Sequence, residues 1–346
     1  MNAMPGRTDP APSTRRIVAS SRGRLAGTDF HEAVVAARGE LGSPHRAPFP
    51  ELEERGFAAS RTARTVSCLA ELFADGQPFG WRLTSRPSHE SVAAASRLRS
   101  DINILADVIG AEGSGHQGVT VVSLTGPVSL GADLGLSNGE AVLSDHGARR
   151  ELAESLTEGV AALSEALRTA VEGEALVIRW LEPHLERALA GQIPTSSGYR
   201  TLRAVPRAEA DRFLSDLAVA CDNLGIDAVL DVDGPLPDPE FGQHFHGVAA
   251  RPLGRGSAEW EGIAGVVDRG QEAWLGITGI GDEDRTVDTV RSFWRTWRDL
   301  GLGAEELSSV TIEEAEDLVT LSPLRGTEVH RRSATVAEGL LDLSRE

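Results

Sequence analysis

The segment Ala175-Leu-Val-Ile-Arg-Trp-Leu181 is apolar at every position but one. Strands that face solvent on one side alternate apolar and polar residues, whereas strands buried on both faces of a parallel sheet are apolar almost throughout. Several other short segments of the chain have the same character. The sequence therefore predicts a parallel sheet with helices packed on its faces.

Short apolar runs alternate with longer amphipathic segments along the chain. Strands are predicted at residues 17–20, 80–83, 119–124, 175–181, 228–232, 247–250, 273–278 and 318–321. Helices are predicted where apolar residues recur every three or four positions, at residues 29–40, 51–73, 88–109, 145–171, 207–224, 259–269, 286–300 and 327–343.

Eight strands that alternate with helices favour an α/β fold, a single (β/α)8 TIM barrel over residues 17–346. Residues 1–16 are rich in Pro, Ser and small residues, and a disordered tail is expected there. A doubly wound open sheet is the alternative. Its first strand would lead into a Gly-rich dinucleotide-binding turn, and Ser20-Ser21-Arg22-Gly23-Arg24 does not have that pattern.

Composition excludes several function classes. The net charge of −18 argues against a nucleic-acid or membrane partner, because phosphates must be neutralised by cations. No apolar run approaches the ~18 residues of a membrane span. All basic residues are Arg, so lysine chemistry is excluded, and Cys68 and Cys221 are too few for a disulfide framework. Without a secretory signal, a soluble cytoplasmic protein is expected.

Functional residues of a (β/α)8 barrel follow the carboxyl ends of its strands. Asp231 and Asp233 are two residues apart, so we expect them to share a face at the barrel mouth, and Glu182 lies one strand away. Three convergent carboxylates would bind Mg²⁺ or Mn²⁺, or supply a pair with split pKa values for acid–base chemistry. The alternative is that these acids cap helices, face solvent or pair with Arg. Further candidates near strand ends are Ser123, Thr125, Arg251, Thr278 and Ser322, and His184 either projects over the mouth or starts a helix.

Several motifs resemble the cobalamin-independent methionine synthases. They are Gly80-Trp-Arg-Leu83, Thr125-Gly-Pro-Val-Ser129, Ala148-Arg-Arg-Glu-Leu-Ala-Glu-Ser-Leu-Thr-Glu-Gly159, Glu182-Pro183 and residues 189–205, which contain Gln192-Ile-Pro-Thr-Ser-Ser-Gly-Tyr199. The chain is similar to single-barrel, actinobacterial-type relatives of the catalytic half, over most of residues 17–324.

The resemblance implies a (β/α)8 barrel, shared with uroporphyrinogen decarboxylases, in which zinc activates homocysteine for methyl transfer from a methyltetrahydrofolate. A metal serves this reaction because a free thiol, with a pKa of about 8.5, is mostly protonated at pH 7. Such a protein belongs to methionine biosynthesis.

The zinc ligands that the resemblance implies are replaced in this chain. Asp231 and Asp233 stand at the family's His and Cys positions, Arg251 at its acid and Pro323 near its last Cys. Of its Asp-Glu-Pro motif, Glu182 and Pro183 remain. Without a thiolate, zinc binding is not expected, and we predict no cofactor. Instead, we expect Arg251 to take the metal's place and pair with Asp231, Asp233 or both.

Three functions are open at this point. The favoured one is a barrel that has lost methyl transfer and binds an amino-acid or folate-like ligand, a protein partner or a second copy of itself. Its expected ligand-binding residues are Ser123, Thr125, His184, Thr195, Ser197 and Arg251. The others are a divergent enzyme that uses Glu182, Asp231 and Asp233, with or without Mg²⁺ or Mn²⁺, and a retained S-methyltransferase.

Overall fold

An eight-stranded parallel sheet forms the centre of the part of the chain that the computed structural model describes, residues 16–113, 118–251, 256–280 and 285–345. Its strands follow the order β1-β8-β7-β6-β5-β4-β3-β2, and neighbouring strands pair in parallel. Their bounds are β1 Val18–Ala19, β2 Ala47–Pro48, β3 Val119–Thr125, β4 Ala175–Leu181, β5 Asp227–Asp231, β6 Gly247–Ala250, β7 Glu272–Ile277 and β8 Val310–Glu314.

The two edge strands of this sheet meet. The backbone N–H of Arg46, next to β2, donates to the carbonyl of Ala19 in β1 at 2.9 Å. The Ser20 hydroxyl donates to the Arg46 carbonyl at 3.0 Å. The sheet therefore curls round on itself, as it does in TIM-barrel-like proteins. The predicted α/β class with eight parallel strands is confirmed.

Helices connect the strands and pack outside the sheet. They are α1 Phe30–Leu41, α2 Arg61–Val66, α3 His89–Glu112, α4 Pro127–Asp133, α5 His146–Ala170, α6 Leu185–Leu189, α7 Arg207–Asn223, α8 Pro239–Gly242, α9 Ser257–Asp268, α10 Thr286–Asp299 and α11 Pro323–Leu343. In α5, residues such as Leu152, Leu156 and Val160 are buried, and the Asp145 side chain caps the helix by accepting from the Ala148 N–H. None of the described helices is long and apolar enough to cross a membrane.

A separate group of buried residues fills the space that the curled sheet encloses. This interior cluster consists of Val121, Val177, Val229, Ala249 and Trp274, one residue from each of the strands β3 to β7. Because side chains alternate along a strand, residues two positions later on these strands point to the same side. The interior cluster thus identifies the residues that point inward near the carboxyl ends of these strands.

The prediction for the second strand was wrong. Residues 80–83 belong to Gly80–Thr84, which forms an antiparallel hairpin with Phe73–Gln77 outside the main sheet. The second strand of the sheet is Ala47–Pro48, which is only two residues long. Proline lacks the N–H that a ladder needs, so the run Ala47-Pro-Phe-Pro50 does not have a strand pattern.

Two further predictions were wrong. Residues 318–321 contain the short 3₁₀ turn Leu318–Thr320 and no strand. The eighth strand is Val310–Glu314, which ends in two glutamates and therefore lacks the apolar pattern of a buried strand. The long helix predicted at residues 51–73 is reduced to α2 and two 3₁₀ turns. Gly56 interrupts it with a φ of 92°, a left-handed backbone that ends a helix. Of the predicted tail, residues 1–15 lie outside the described residues.

Candidate functional site

Oppositely charged side chains meet where β4, β5, β6 and β8 end. A guanidinium nitrogen of Arg251 bonds Asp231, and its two other nitrogens lie 3.7 Å from Glu313 Oε2 and 3.8 Å from Asp233 Oδ1. Arg179 bonds Glu313, and its Nε lies 4.0 Å from Asp231. Arg251 was predicted to pair with Asp231, Asp233 or both, and the structure shows a close pair with Asp231 and a longer one with Asp233.

Strand geometry explains why these side chains converge. Arg179 and Asp231 follow Val177 and Val229 of the interior cluster by two residues, so all four point inward. The guanidinium of Arg179 stacks on the Trp274 ring, with its Cζ 4.8 Å from the ring centroid. This cation–π contact helps to hold Arg179 in position.

Arg22, from the loop after β1, completes what we call the mouth cluster: Arg22, Arg179, Asp231, Asp233, Arg251 and Glu313. Its Nη2 lies 2.7 Å from Asp233 Oδ1, and the two side chains are 11% and 39% exposed. Asp233 lies beyond the end of β5 with a φ of 56°, and its N–H donates to Asp231 Oδ1 at 2.8 Å. The other four side chains of the mouth cluster are buried, so the pair of Arg22 and Asp233 forms its exposed rim.

The charges of the mouth cluster stabilise one another. Burial disfavours the charged form of Asp231, but the guanidinium groups of Arg251, Arg22 and Arg179 outweigh it and hold the pKa of Asp231 far below its usual value. Burial similarly opposes the charge of Arg251, while Asp231 and Glu313 raise its pKa above the ordinary one. Both groups are therefore ionised at neutral pH.

Several polar atoms of the mouth cluster are buried without a hydrogen-bond partner among the described residues. They are Arg22 Nε, Arg179 Nε and Nη1, Arg251 Nε and Nη1, and Glu313 Oε2. Leaving a buried donor or acceptor unpaired costs about 1–3 kcal/mol, more for charged groups. The mouth cluster thus offers a ligand both hydrogen-bond donors and an acceptor within one site.

Glu182 has different partners from Asp231. Its two carboxylate oxygens accept the backbone N–H groups of Val128 (2.9 Å) and Ser129 (2.7 Å) in the first turn of α4. Burial raises its pKa to about 7. Among the described residues, no side-chain contact joins Glu182 to Asp231 or Asp233, and no group of three or more His, Cys, Asp or Glu is placed to hold a metal. The predicted convergence of the three carboxylates is not found.

The other predicted residues spread over a wider area. The hydroxyl of Ser123 donates to the carbonyl of Arg22 at 3.4 Å, so Ser123 borders the mouth cluster. The Thr125 N–H donates to the hydroxyl of Thr65. His184 lies 3.3 Å from Asp133, and this hydrogen bond raises its pKa.

Two predicted residues belong to an exposed loop, and two lie near the last helix. The hydroxyls of Thr195 and Ser197 are 3.1 Å apart in the loop. Their other hydrogen bonds, to Arg200 and Tyr199, also stay within the loop and do not reach the mouth cluster. Ser322 caps α11 and Pro323 is its first residue, so neither ends the eighth strand as expected.

Sequence reasoning missed Arg22, Arg179 and Glu313. A signal existed for Arg179, because it is the one charged residue in the otherwise apolar segment 175–181. A signal also existed for Glu313, which follows the β-branched residues Val310-Thr-Ile312. Arg22 lies in a loop whose sequence gives no such signal.

Comparisons with known proteins leave the family of this chain open. No family model and no curated protein matches it. Among solved structures, a glycoside hydrolase family 5 enzyme from Prevotella bryantii is similar at 8% identity, covering 80% of this chain and 98% of that one, with a TM-score of 0.29. A likeness of this size carries no argument about fold or function.

Proposed function

We propose that this chain is a methionine synthase-like barrel that binds a small zwitterion, an α-amino acid, at the mouth cluster and has lost zinc-dependent methyl transfer. One observation carries the proposal: guanidinium nitrogens of Arg179 and Arg251 that donate no hydrogen bond lie in the same buried site as Glu313 Oε2, which accepts none. The ion pair that joins Arg251 Nη1 and Glu313 Oε2 is long, at 3.7 Å. A ligand with a carboxylate and an ammonium group would satisfy both kinds of atom.

The residues at the implied zinc positions do not fit that metal. Arg251 is bonded to Asp231, and a guanidinium has no free electron pair to offer. Pro323 has no donor atom in its side chain. Cys68 and Cys221 are buried elsewhere, in contact with Arg64 and Trp180, and burial raises the pKa of their thiols to about 12 and about 11. No methyl-transfer step through zinc follows from this donor set.

A zwitterion suits the mouth cluster better than a ligand of one charge. Arg251 has two nitrogens without hydrogen bonds, Nε and Nη1. They lie on different edges of the guanidinium, so each would donate a single charge-assisted hydrogen bond to a ligand carboxylate. An ammonium group would find Glu313 and Asp233 within the same cluster. The charged groups of a folate-like ligand are carboxylates, which would leave these acids facing added negative charge.

Entry to the site would pass the rim. The ion pair of Arg22 and Asp233 is the part of the mouth cluster that solvent reaches. Asp233 is 39% exposed but Arg22 only 11%, so their separation costs more than that of a fully exposed ion pair. Behind them, Arg251 Nε lies 3.8 Å from Asp233 Oδ1.

Calorimetric titration tests the binding proposal. L-methionine and L-homocysteine are compared with 3-(methylthio)propylamine, which lacks the carboxylate, and 4-(methylthio)butanoate, which lacks the amine. We expect the amino acids to bind at least about tenfold more tightly than either analogue, since each analogue leaves charged groups unpaired. Arg22→Gln should weaken binding, whereas Arg150→Gln, on the exposed side of α5, should not. Equal affinity for all four compounds would overturn the proposal.

Metal analysis and a direct assay test the loss of methyl transfer. We expect purified protein to hold far less than one zinc ion per chain and to show no transfer from methyltetrahydrofolate to homocysteine. Stoichiometric zinc together with turnover would instead support retained S-methyltransferase activity.

A divergent enzyme is the second candidate, and one observation favours it. The buried carboxyl of Glu182 has a pKa of about 7, which suits a general acid or base at neutral pH. If any amino-acid reaction is detected, Glu182→Gln should abolish it while leaving the affinity of the mouth cluster unchanged.

A further inference from the structure

Three buried side chains outside the mouth cluster are joined by hydrogen bonds. Ser21 in the loop after β1 donates its hydroxyl hydrogen to Oε1 of Glu314, the last residue of β8, at 2.8 Å. His330 Nε2 in α11 lies 3.0 Å from the same hydroxyl oxygen. Because the single hydrogen of Ser21 goes to Glu314, His330 must donate to Ser21. Each of the three residues is at most 1% exposed.

These hydrogen bonds lead to the backbone of Arg22, the rim arginine of the mouth cluster. Glu314 Oε1 also accepts the N–H of Arg22 at 3.3 Å, and the Ser21 oxygen accepts the N–H of Gly23 at 3.2 Å. On the other side, the carbonyl of Arg22 accepts the hydroxyl of Ser123 at 3.4 Å. Buried side chains therefore hold the backbone on both sides of Arg22.

A glutamate at this position of β8 is costly for the fold. Burial and the neighbouring charge of Glu313 raise the pKa of Glu314 to about 7. Its Oε2 has no hydrogen-bond partner among the described residues. An apolar side chain would avoid both costs. What the carboxylate provides is one acceptor, Oε1, for the hydroxyl of Ser21 and the N–H of Arg22 together.

We propose that Glu314 is a positioning residue for ligand binding at the mouth cluster. It holds the backbone of Arg22 so that the guanidinium of Arg22 stays beside Asp233, at the entrance to the site. Glu314 does not touch the ligand and acts through Arg22. This inference rests on the proposed function, the binding of an α-amino acid.

Calorimetric titration of the full chain with L-methionine tests the proposal. We expect Glu314→Ala to weaken binding about tenfold, because the N–H of Arg22 loses its acceptor. Glu314→Gln keeps an oxygen at this place and should bind within about twofold of the parent. In the Arg22→Gln background, Glu314→Ala should have no further effect, since both changes act on the same contact. Unchanged affinity in Glu314→Ala, or additive effects of the two substitutions, would overturn the proposal.

Two adjacent serines give a matched pair of variants. Ser21→Ala removes the hydrogen bond to Glu314 and should weaken methionine binding. Ser20 is equally buried, but its hydroxyl donates to the carbonyl of Arg46 where the sheet closes, so Ser20→Ala should leave the affinity unchanged. If Glu314→Ala does not fold, this pair decides: equal affinities of the two serine variants would overturn the proposal.

Chemical modification follows the position of Arg22 without any ligand. Phenylglyoxal modifies arginine side chains, and peptide mass spectrometry compares its rate at Arg22 with that at the exposed Arg150. We expect Ser21→Ala to raise the relative rate at Arg22 severalfold and Ser20→Ala to leave it unchanged. A raised rate in a protein that binds no methionine would overturn the proposed function but retain the placement of Arg22. Methionine binding in the parent, with neither rate nor affinity changed in Ser21→Ala, would overturn the positioning role alone.

Discussion

Arg251 bonds the carboxylate of Asp231 across the ends of β6 and β5, and the backbone around the pair holds both residues in place. The N–H of Arg251 donates to the carbonyl of Gly234 at 2.7 Å, which ties it to the loop after β5. The N–H of Asp233 in turn binds Asp231 Oδ1. A buried ion pair with such support is costly to break from one side, because the remaining charge has no water to solvate it.

Removal of Arg251 tests this ion pair. Arg251→Ala leaves Asp231 and Glu313 buried with less positive charge, so we expect a loss of about 3–5 kcal/mol in the free energy of unfolding, or the uptake of a divalent cation. Urea unfolding and metal analysis measure the two outcomes. Arg150→Ala, on the exposed side of α5, is the control and should stay close to the parent. An Arg251→Ala protein with unchanged Tm and no metal would contradict this account.

A substitution at Gly276 in β7 tests the position of Arg251 without changing any charge. A Cβ added there would lie 2.6 Å from the Cβ of Arg251, a distance that forces the arginine to move. We expect Gly276→Ala to cost about 1–3 kcal/mol in unfolding free energy, as overpacking usually does, and to weaken amino-acid binding.

Gly110 is the matched control for this substitution. It lies on the exposed side of α3, and a Cβ there would meet no atom within 4 Å. Gly110→Ala should therefore stabilise the protein by up to about 1 kcal/mol. If both variants had the same effect on unfolding, contact with Arg251 would not be the cause.

Glu182 predicts a pH dependence of stability. Its pKa is raised from 4.5 to about 7 in the folded protein, so the folded state holds a proton that the unfolded state releases. This group therefore lowers stability as the pH rises from about 4.5 to 7, by up to about 3 kcal/mol, with no further loss above that range. The stability of Glu182→Gln relative to the parent should rise across this window in urea unfolding. A constant difference from pH 4.5 to 7 would contradict the raised pKa.

The sequence predicted the class of fold because long apolar strands such as Ala175–Leu181 leave few alternatives. It failed at β2, where a strand of two residues lies in a proline-rich segment, and at β8, whose final glutamates suggest a loop. Both failures arise where tertiary pairing, and not local pattern, makes the strand. β8 can contain polar residues near its end because that end of the strand lies at the mouth cluster.

The candidate site was predicted in part for the same reason. Asp231 ends a strand that was located correctly, Asp233 and Arg251 follow such strands, and the pairing of Arg251 with the aspartates was anticipated. Glu313 was missed together with its strand, and Arg22 depends on a loop conformation that a sequence pattern does not reveal. Glu182 was expected to face the same ligand, but its carboxylate binds the backbone of α4, which lies more than 50 residues earlier in the chain.

Residues at the amino-terminal end of the sheet should affect the free energy of unfolding without affecting ligand binding at the mouth cluster. Glu272, at the start of β7, binds Arg46 through Nη2 at 2.6 Å and accepts the indole N–H of Trp274 at 3.0 Å. Burial opposes its charge, but hydrogen bonds from Arg46 and His246 lower its pKa to about 2. Its stabilising contribution is therefore present above about pH 4.5 and is lost as the pH falls towards 2.

Glu272→Gln should lower the free energy of unfolding by about 3 kcal/mol at pH 7 and by much less near pH 2, where the parent has also lost the charge. Amino-acid affinity at the mouth cluster should not change, because residues at the amino-terminal end of barrel strands serve stability. Glu151→Gln, at an exposed position of α5, controls for the loss of one negative charge. Unfolding at the two pH values and calorimetric titration at pH 7 measure both effects, and a folded Glu272→Gln protein with weakened methionine binding would show that the two ends are coupled.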